Sequence, residues 1–259
     1  MEFKAVAHTD IGIRKDTNQD SAMIKIARTD YGDVAFCVVC DGVGGLSKGE
    51  VASANLIRAF EKWFLEEFPQ MLYRGIDHSS LRRSWENQIY EINNRIAQYS
   101  DCNHVKMGTT IVALLIVGNV YYLLNVGDSR AYMLDHQLHQ LTKDQTFIQR
   151  EMDLGRMTWE EAKRDPRRNV LLQCVGASTY IEPDFYVGDV SENSIFMLCS
   201  DGFRHLITPD EIYEYLNPAR LIDEQAMLDS AVYLVELNKY RNEDDNITIA
   251  LIRACEGRK

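Results

Sequence analysis

Several apolar stretches of this chain stop abruptly beside an aspartate that has a glycine or asparagine close by. The motifs are Asn18-Gln19-Asp20, Cys40-Asp41-Gly42, Gly127-Asp128-Ser129, Ser200-Asp201-Gly202 and Asp244-Asp245-Asn246. A strand that ends in this way holds a carboxylate rigidly at the edge of a sheet. Carboxylates that meet there repel one another and need a cation, and Mg²⁺ and Mn²⁺ prefer carboxylate, carbonyl and water oxygens. The pattern therefore predicts a divalent-metal site with more than one ion.

The bulk composition excludes several classes of function. Of the 259 residues, 46% are hydrophobic and 26% are charged, the balance of an ordinary soluble domain. The formal net charge of −11 argues against a nucleic-acid-binding or membrane-surface protein, because both need a basic surface. No apolar run approaches the roughly 18 residues of a spanning helix, and the first residues do not resemble a secretory leader. We therefore expect no membrane insertion and a cytoplasmic location.

The pattern of apolar residues predicts alternating blocks of strands and helices. Strands are predicted over 3–9, 21–28, 34–41, 109–117, 120–126, 131–134, 137–141, 185–190, 195–199 and 247–252. Capping boxes that open at Ser47, Thr158 and Thr208 predict helix starts, and apolar stripes predict further helices around 85–99 and 228–235. Cys37 and Cys40 lie three apart on one strand, so they should face opposite sides as core residues rather than bind zinc. No repeat or linker is visible, so we expect a single domain over 1–259.

In this order, the motifs resemble those of the metal-dependent type 2C serine/threonine protein phosphatases, in particular the bacterial branch. The resemblance covers nearly the whole chain, and its blocks are Thr9-Asp10-Ile11-Gly12, 18–20, 41–45, 108–110, 125–132, 198–203 and 245–248. The resemblance implies an α+β fold, a four-layer α-β-β-α sandwich with two central antiparallel sheets. It also implies hydrolysis of phosphoserine and phosphothreonine in proteins by a water that bridges two Mg²⁺ or Mn²⁺ ions, without a phosphoenzyme.

The resemblance also assigns roles to individual residues. Asp41 would bridge the two ions, and the carbonyl of Gly42 would bind one of them. Asp201 and Asp245 would bind the other ion, and Asp20 would reach the centre directly or through water. Asp128 matches the position that, with Asp201, holds a third and weaker ion in bacterial relatives. The alternative for Asp128 is a buried turn, in which its carboxylate bonds to nearby backbone.

Two positions depart from the family pattern. Where the family places a phosphate-binding arginine, this chain has Lys15, preceded by Arg14; either could bind the phosphate, and we favour Arg14. Where some relatives carry a histidine as general acid, this chain has Val43. The six histidines match no such role and are expected at the surface or in packing, so the leaving group would take its proton from water on the metals.

The polar segment 142–169 matches the mobile flap that lies beside the site in the family. Its arginines and lysines could meet a phosphorylated protein, although a charge-rich segment is more often only solvated. Relatives often carry histidine where this chain has Gln145 and Asp165, so the behaviour of the flap is expected to differ.

Two other functions remain open from the sequence. A non-catalytic module that binds phosphoproteins would be marked by loss of a metal aspartate, and none is lost. A two-metal hydrolase of small phosphate esters would need a dedicated ligand pocket, and no base- or sugar-binding motif is visible. Expected partners are phosphorylated proteins and, because bacterial relatives commonly reverse a serine/threonine kinase, a cognate kinase. We expect a monomer.

Overall fold

The computed structural model describes residues 1–43 and 48–255. Its strands are β1 (Glu2–Asp10), β2 (Ser21–Thr29), β3 (Gly32–Cys40), β4 (Ile111–Val117), β5 (Val120–Val126), β6 (Arg130–Leu134), β7 (Leu138–Gln140), β8 (Asp184–Asp189), β9 (Ile195–Cys199) and β10 (Ile247–Cys255). Its helices are α1 (Gly49–Glu66), α2 (Phe68–Arg74), α3 (His78–Asn103), α4 (Phe147–Asp153), α5 (Trp159–Arg164), α6 (Asp201–Arg204), α7 (Pro209–Leu216) and α8 (Glu224–Tyr240).

The strands form two five-stranded antiparallel sheets. One sheet has the order β1-β10-β9-β6-β7, and the other has the order β2-β3-β4-β5-β8. We call them the first and the second sheet. The bounds of each predicted strand differ from those of an observed strand by at most three residues. The agreement arises because the apolar residues of each strand follow the pattern of burial on its two faces. The predicted α-β-β-α architecture is confirmed.

The apolar runs are continuous because the central strands are buried on both faces. In β3, Phe36 and Val38 pack toward α1 and α3, while Ala35, Cys37 and Val39 pack toward the first sheet. In the first sheet, β9 packs against α7 and α8 on its outer face in the same way. The molecule therefore has three apolar layers, one between the sheets and one beneath each set of helices. Cys37 and Cys40 lie in different layers, as predicted.

The helix starts follow the sequence signals at two of three places. Thr158 and Thr208 each form a complete capping box with Glu161 and Glu211. The predicted cap Ser47 lies outside the described residues, and Lys48, which precedes α1, makes no side-chain capping bond. The sequence did not predict the short helices α2 and α6, because single helical turns depend on tertiary packing more than on periodicity. Among the helices described, none is long and apolar enough to span a membrane.

Candidate metal centre

Four of the predicted metal aspartates flank strands at one end of the two sheets. Asp20 immediately precedes β2 and Asp41 immediately follows β3, and the adjoining residues Ser21 and Cys40 are paired across the ladder. In the first sheet, Asp201 follows β9 and Asp245 precedes β10, two strands that are also neighbours. Each sheet therefore contributes two carboxylates to the same end of the sandwich.

The pKa shifts of these carboxyl groups indicate that they lie near one another. Burial raises the pKa of Asp41 well above its ordinary range, and the charges of Asp20, Asp201, Asp128 and Asp245 raise it further. Burial likewise raises the pKa of Asp20 to about 7; the nearby hydroxyl groups of Thr248 and Ser200 oppose this rise, and the charges of Asp201 and Asp245 add to it. A cluster of this kind favours a bound cation, because only a nearby positive charge allows all members to ionise together.

Some carboxylate oxygens in this cluster are buried without a hydrogen-bond partner, and a metal ion could bind them. Both carboxylate oxygens of Asp20 and one of Asp201 are buried and have no hydrogen-bond partner among the described residues. An unpaired buried carboxylate is strongly unfavourable, and a hard divalent ion would satisfy these oxygens directly or through its water. The residues present therefore fit a Mg²⁺ or Mn²⁺ centre.

Gly42 lies where no side chain can be placed. A Cβ atom there would stand 2.7 Å from the carbonyl oxygen of Gln19 and 2.7 Å from the carbonyl carbon of Gly49. The Gly42 amide donates to the Gln19 carbonyl at 3.2 Å. The backbone after Asp41 is thus pressed between the loop that carries Asp20 and the start of α1. Gly44 and Gly45, which complete the motif, lie outside the described residues.

A chain of hydroxyl groups fixes the backbone beside Asp41. The Asp41 amide donates to Thr110 Oγ1 at 3.0 Å, and its carbonyl accepts from Thr109 Oγ1 at 2.9 Å. Thr110 Oγ1 lies 2.7 Å from Ser129 Oγ, next to Asp128. The motif at 108–110 therefore positions ligands rather than supplying one, because its side chains tie the Asp41 and Asp128 turns together.

Asp128 lies in the cluster but is paired with an arginine. Arg204 Nη2 donates to the Asp128 carbonyl at 2.9 Å and lies 3.3 Å from its carboxylate. Burial raises the pKa of Asp128 to about 7, and the charge of Asp201 adds to this rise while Arg204 opposes it. Arg130 forms a two-pronged ion pair with Asp144 beside it, at 2.7 and 2.8 Å. Neither Arg204 nor Asp144 has a role predicted from the sequence.

The two candidate phosphate-binding residues differ sharply in placement. Lys15 is about two-thirds buried and its Nζ lies 2.7 Å from Asp245 Oδ1. Its pKa is raised, because pairing with Asp245 and the charges of Asp41 and Asp201 outweigh burial, the largest single effect, which lowers it. Arg14 pairs with Asp244 at 2.8 Å and is 67% exposed. Lys15 lines a cavity together with Asp128 and Asp245. Its placement therefore suits phosphate binding better than that of Arg14, which the sequence interpretation favoured.

His205 lines the same cavity, a position at the site that the sequence interpretation assigned to none of the six histidines. Its Nε2 lies 3.4 Å from Asp201 and its Nδ1 lies 3.4 Å from Glu243. Buried Glu243 also accepts the backbone amides of Asp244 and Asp245, each at 3.0 Å. Burial lowers the pKa of His205, but the hydrogen bond to Glu243 and the charge of Asp201 produce a net rise. The four-residue spacing from Asp201 was the available sequence signal.

The segment 142–169 covers one side of this cavity and carries α4 and α5. Gln145, where relatives often have histidine, accepts the Gly127 amide at 2.8 Å and donates to Asp184 at 2.9 Å. Its own backbone amide donates to the Gly127 carbonyl at 2.9 Å. Asp165 instead pairs with Arg167 at 2.7 Å, away from the centre. The base of the flap is therefore fastened to the residue that precedes Asp128.

Fold and site together define a metal-dependent hydrolase of the type 2C phosphatase kind, and comparison with known proteins agrees. A model of the protein phosphatase 2C family matches residues 12–238. The serine/threonine phosphatase Stp of Listeria monocytogenes is 33% identical over 221 residues, which cover 83% of this chain and 82% of that protein. PstP of Mycobacterium tuberculosis is 32% identical over 254 residues, 97% of this chain but 45% of that longer protein.

Solved structures give the same answer. The serine/threonine phosphatase of S. agalactiae superposes with a TM-score of 0.84 at 29% identity, over 98% of this chain and 100% of that one. The catalytic domain of PstP in complex with two manganese ions superposes with a TM-score of 0.77 at 30% identity, over 98% and 99% of the two chains. The chain belongs to the protein phosphatase 2C family, whose members are metal-dependent serine/threonine phosphatases.

Proposed function

We propose that this protein is a protein-serine/threonine phosphatase that depends on Mn²⁺ or Mg²⁺. One observation carries the proposal above all: carboxylates from both sheets converge at one end of the sandwich, with buried oxygens of Asp20 and Asp201 that have no partner among the described residues. Two bound ions supply an activated water nucleophile and stabilise charge on the phosphoryl oxygens. An oxygen-only cluster of this kind suits these hard ions better than zinc or copper.

The proposed ligands follow from the placement of each residue. The charges of four other aspartates raise the pKa of Asp41, which suits a ligand that both ions would share. Gly42 presents its backbone at the same place, and Asp201 and Asp245 hold the side formed by the first sheet. Asp20, with both oxygens buried, completes the shell. Asp128 would join Asp201 around a third ion only after Arg204 moves away, because the guanidinium now holds its carboxylate.

We assign phosphate binding to Lys15. With ions present, Asp245 is a ligand, and the Lys15 ammonium that now pairs with it becomes available to a phosphoryl oxygen in the same cavity. Lysine binds phosphate as a point charge rather than as a two-pronged fork, so orientation must come from other groups. Arg14, two-thirds exposed and paired with Asp244, is better placed to meet a phosphoprotein outside the cavity.

The family pattern and composition support three further parts of the proposal. We place the protein in the cytoplasm and in signalling, acting on phosphoproteins made by a serine/threonine kinase. We treat 1–259 as one catalytic domain with 142–169 as its flap. The cavity wall formed by this flap carries Lys163 and Arg168, and their charges suit the acidic surroundings of a phosphorylated residue.

The test is phosphate release from a phosphothreonine peptide with Mn²⁺, with EDTA, and with Asp201→Asn. We expect release only with metal and a loss of at least ~10²-fold in the variant, since the ion then lacks a ligand and charge stabilisation fails. Asp210→Asn, an exposed aspartate in the first turn of α7, serves as the matched control and should keep full activity. Release that persists in EDTA, or in Asp201→Asn, would contradict the proposal.

A second substrate series separates the alternatives. Faster turnover of mononucleotides or sugar phosphates than of the peptide would favour a small-ester hydrolase. Tight binding of the phosphopeptide without release, in folded protein with metal bound, would favour the non-catalytic module. Preference for the peptide with release supports the protein phosphatase.

A further inference from the structure

The tip of the β6–β7 hairpin brings together three metal-binding side chains that the proposed phosphatase function does not use. They are Asp135, His136 and His139, and their candidate ligand atoms all lie within 4.8 Å of one another. Asp135 Oδ1 lies 3.2 Å from His136 Nδ1 and 3.0 Å from His139 Nε2. Within the described residues, this is the one group of three or more such ligands that is drawn so close together.

The backbone of the hairpin produces this arrangement. Leu134 pairs with Leu138 and Met133 with His139 across the ladder, so residues 135–137 form the loop. The Asp135 side chain accepts the Gln137 amide at 3.1 Å, which fixes the carboxylate over the turn. Both imidazoles then point a ring nitrogen at the same oxygen. Because the ladder and the turn set these positions, the three groups are held together without a metal.

The spacing fits a small tetrahedral ion. With Zn–N and Zn–O bonds of about 2.0–2.1 Å, neighbouring ligand atoms in a tetrahedral site lie roughly 3.3–3.4 Å apart. The observed separations of 3.2 and 3.0 Å between Asp135 and the two imidazoles need only small movements. The two imidazole nitrogens lie within 4.8 Å of each other, so rotation of the exposed His136 side chain would bring them to this spacing.

We propose that Asp135, His136 and His139 form a second, peripheral metal site that binds Zn²⁺. Two imidazoles and one carboxylate are a ligand set that suits zinc and similar borderline ions, whereas the oxygen-only catalytic cluster suits Mg²⁺ and Mn²⁺. Asp135 and His136 line a surface depression together with Glu192, so water or this carboxylate is available as a fourth ligand. The net charge of −11 favours cations at the surface in general.

The site is separate from the catalytic centre. It lies at the far end of β6 from Arg130, about 16 Å along the strand at 3.3 Å per residue. No ion could contact both sets of ligands at that separation. The hairpin also touches α7, where the Tyr213 hydroxyl donates to the Asp135 carbonyl at 3.4 Å. A bound ion would therefore strengthen the contact between hairpin and helix, and it would do so without entering the phosphate cavity.

The test uses Co²⁺ as a spectroscopic substitute for Zn²⁺ in tag-free, metal-stripped protein. Co²⁺ in a four-coordinate site with imidazole ligands absorbs strongly in the visible range, whereas Co²⁺ in an oxygen-only octahedral site absorbs weakly. The variants are His136→Asn and His139→Asn, with two controls. His104→Asn removes an exposed imidazole elsewhere, at a left-handed position that asparagine tolerates. Asp201→Asn disables the catalytic centre.

We expect the strong band in the wild type, His104→Asn and Asp201→Asn, its loss in both hairpin variants, and its displacement by Zn²⁺. Competition should show Zn²⁺ binding at least ~10-fold weaker in each hairpin variant, the lower end of what loss of supporting groups costs metal sites. His136 is 82% exposed, so its replacement leaves the fold intact, which thermal unfolding in EDTA verifies. No band in the wild type, a band kept in both hairpin variants, or a band lost in Asp201→Asn would overturn the proposal.

Discussion

The side-chain oxygen of Asn246 accepts the backbone amide of Gln19 at 2.9 Å, joining residues that are 227 apart in the chain. Its side-chain nitrogen donates to the carbonyls of Ile11, at 2.9 Å, and Thr17, at 3.2 Å. One buried amide thus holds both ends of the loop that carries Lys15 and leads into Asp20. In the aspartate-asparagine motif, Asp245 is a proposed ligand, and Asn246 positions the loop that carries Lys15 and Asp20.

Replacing Asn246 by alanine should both destabilise and inactivate the protein. The change leaves one amide and two carbonyls without this partner at a site that is 3% exposed, so we expect a loss of about 1–3 kcal/mol in the free energy of unfolding. Urea denaturation measures it in metal-free protein. Asn119→Ala, in the exposed turn between β4 and β5, is the matched control. Equal stability of the two variants would show that the loop does not depend on Asn246.

The raised pKa of Asp20 predicts how pH affects the metal-free protein. A carboxyl group whose pKa rises from 3.8 to about 7 on folding contributes stability below its unfolded value and loses it as pH rises through 7. In EDTA, the wild type should therefore lose about 4 kcal/mol relative to Asp20→Asn between pH 4 and pH 8. Denaturation at several pH values measures this difference. A constant difference would mean that Asp20 titrates normally.

Added Mn²⁺ should reverse this trend, because the ion binds the ionised carboxylates and competes with protons. The apparent affinity for Mn²⁺ should increase between pH 6 and pH 8 in the wild type. Calorimetry at fixed ionic strength measures it directly. A pH-independent affinity would argue that the carboxylates are already ionised without metal.

Gly42→Ala should abolish activity through backbone displacement alone. The new methyl group would overlap the Gln19 carbonyl and the backbone of Gly49, each at 2.7 Å, and neither can move as a flexible side chain would. We expect at least ~10²-fold slower phosphate release, since misplacement of a site by about 1 Å costs this much. Gly118→Asn replaces a turn glycine that has open space around it and should retain activity. An active Gly42→Ala enzyme would show that the turn can relax.

Lys15 and Arg14 should differ in their kinetic effects. Lys15→Met removes the cation in the cavity, and loss of a charged contact worth about 1.5–3 kcal/mol lowers kcat/KM roughly 10- to 100-fold. Arg14→Met should change peptide turnover by less than ~3-fold, because its pair with Asp244 is exposed. Steady-state kinetics with a phosphothreonine peptide and with a small aryl phosphate measure both. A larger loss of kcat/KM in Arg14→Met than in Lys15→Met would instead assign phosphate binding to Arg14.

Gln145→Ala should loosen the flap at its base. The side chain bonds to Gly127, Asp184 and Gln173, so its loss should speed hydrogen exchange across 142–169 without unfolding the sandwich. Gln149→Ala, which loses only an exposed bond to Asp153, is the control. If hydrogen exchange across 142–169 were equally fast in Gln145→Ala and Gln149→Ala, the flap would not depend on the Gln145 side chain.

The sequence predicted well the site residues that lie directly beside a strand. Asp20, Asp41, Asp201 and Asp245 stand beside apolar runs, and strand pairing alone brings them to one end of the sandwich. It was a poor guide to Arg204 and Glu243, because nothing local distinguishes a charged residue that faces a cavity from one that faces water. For His205, the four-residue spacing from Asp201 was the only local signal. The contrast between Lys15 and Arg14 was equally hidden, since adjacent residues in a loop can point in unrelated directions.

The layer between the sheets bears on the chemistry even though it lies away from the phosphate. It is built from small and branched residues of both sheets, among them Ala35, Cys37, Ala131 and Ala250. Each sheet contributes two of the proposed metal ligands. The distance between the sheets, and any sliding of one sheet over the other, therefore determines the distance between the two pairs of carboxylates. A methyl group added in this layer would push the two sheets apart and increase the distance between their carboxylates without contacting a proposed ligand. We therefore expect substitutions in this layer to change the metal preference, although its residues do not line the cavity.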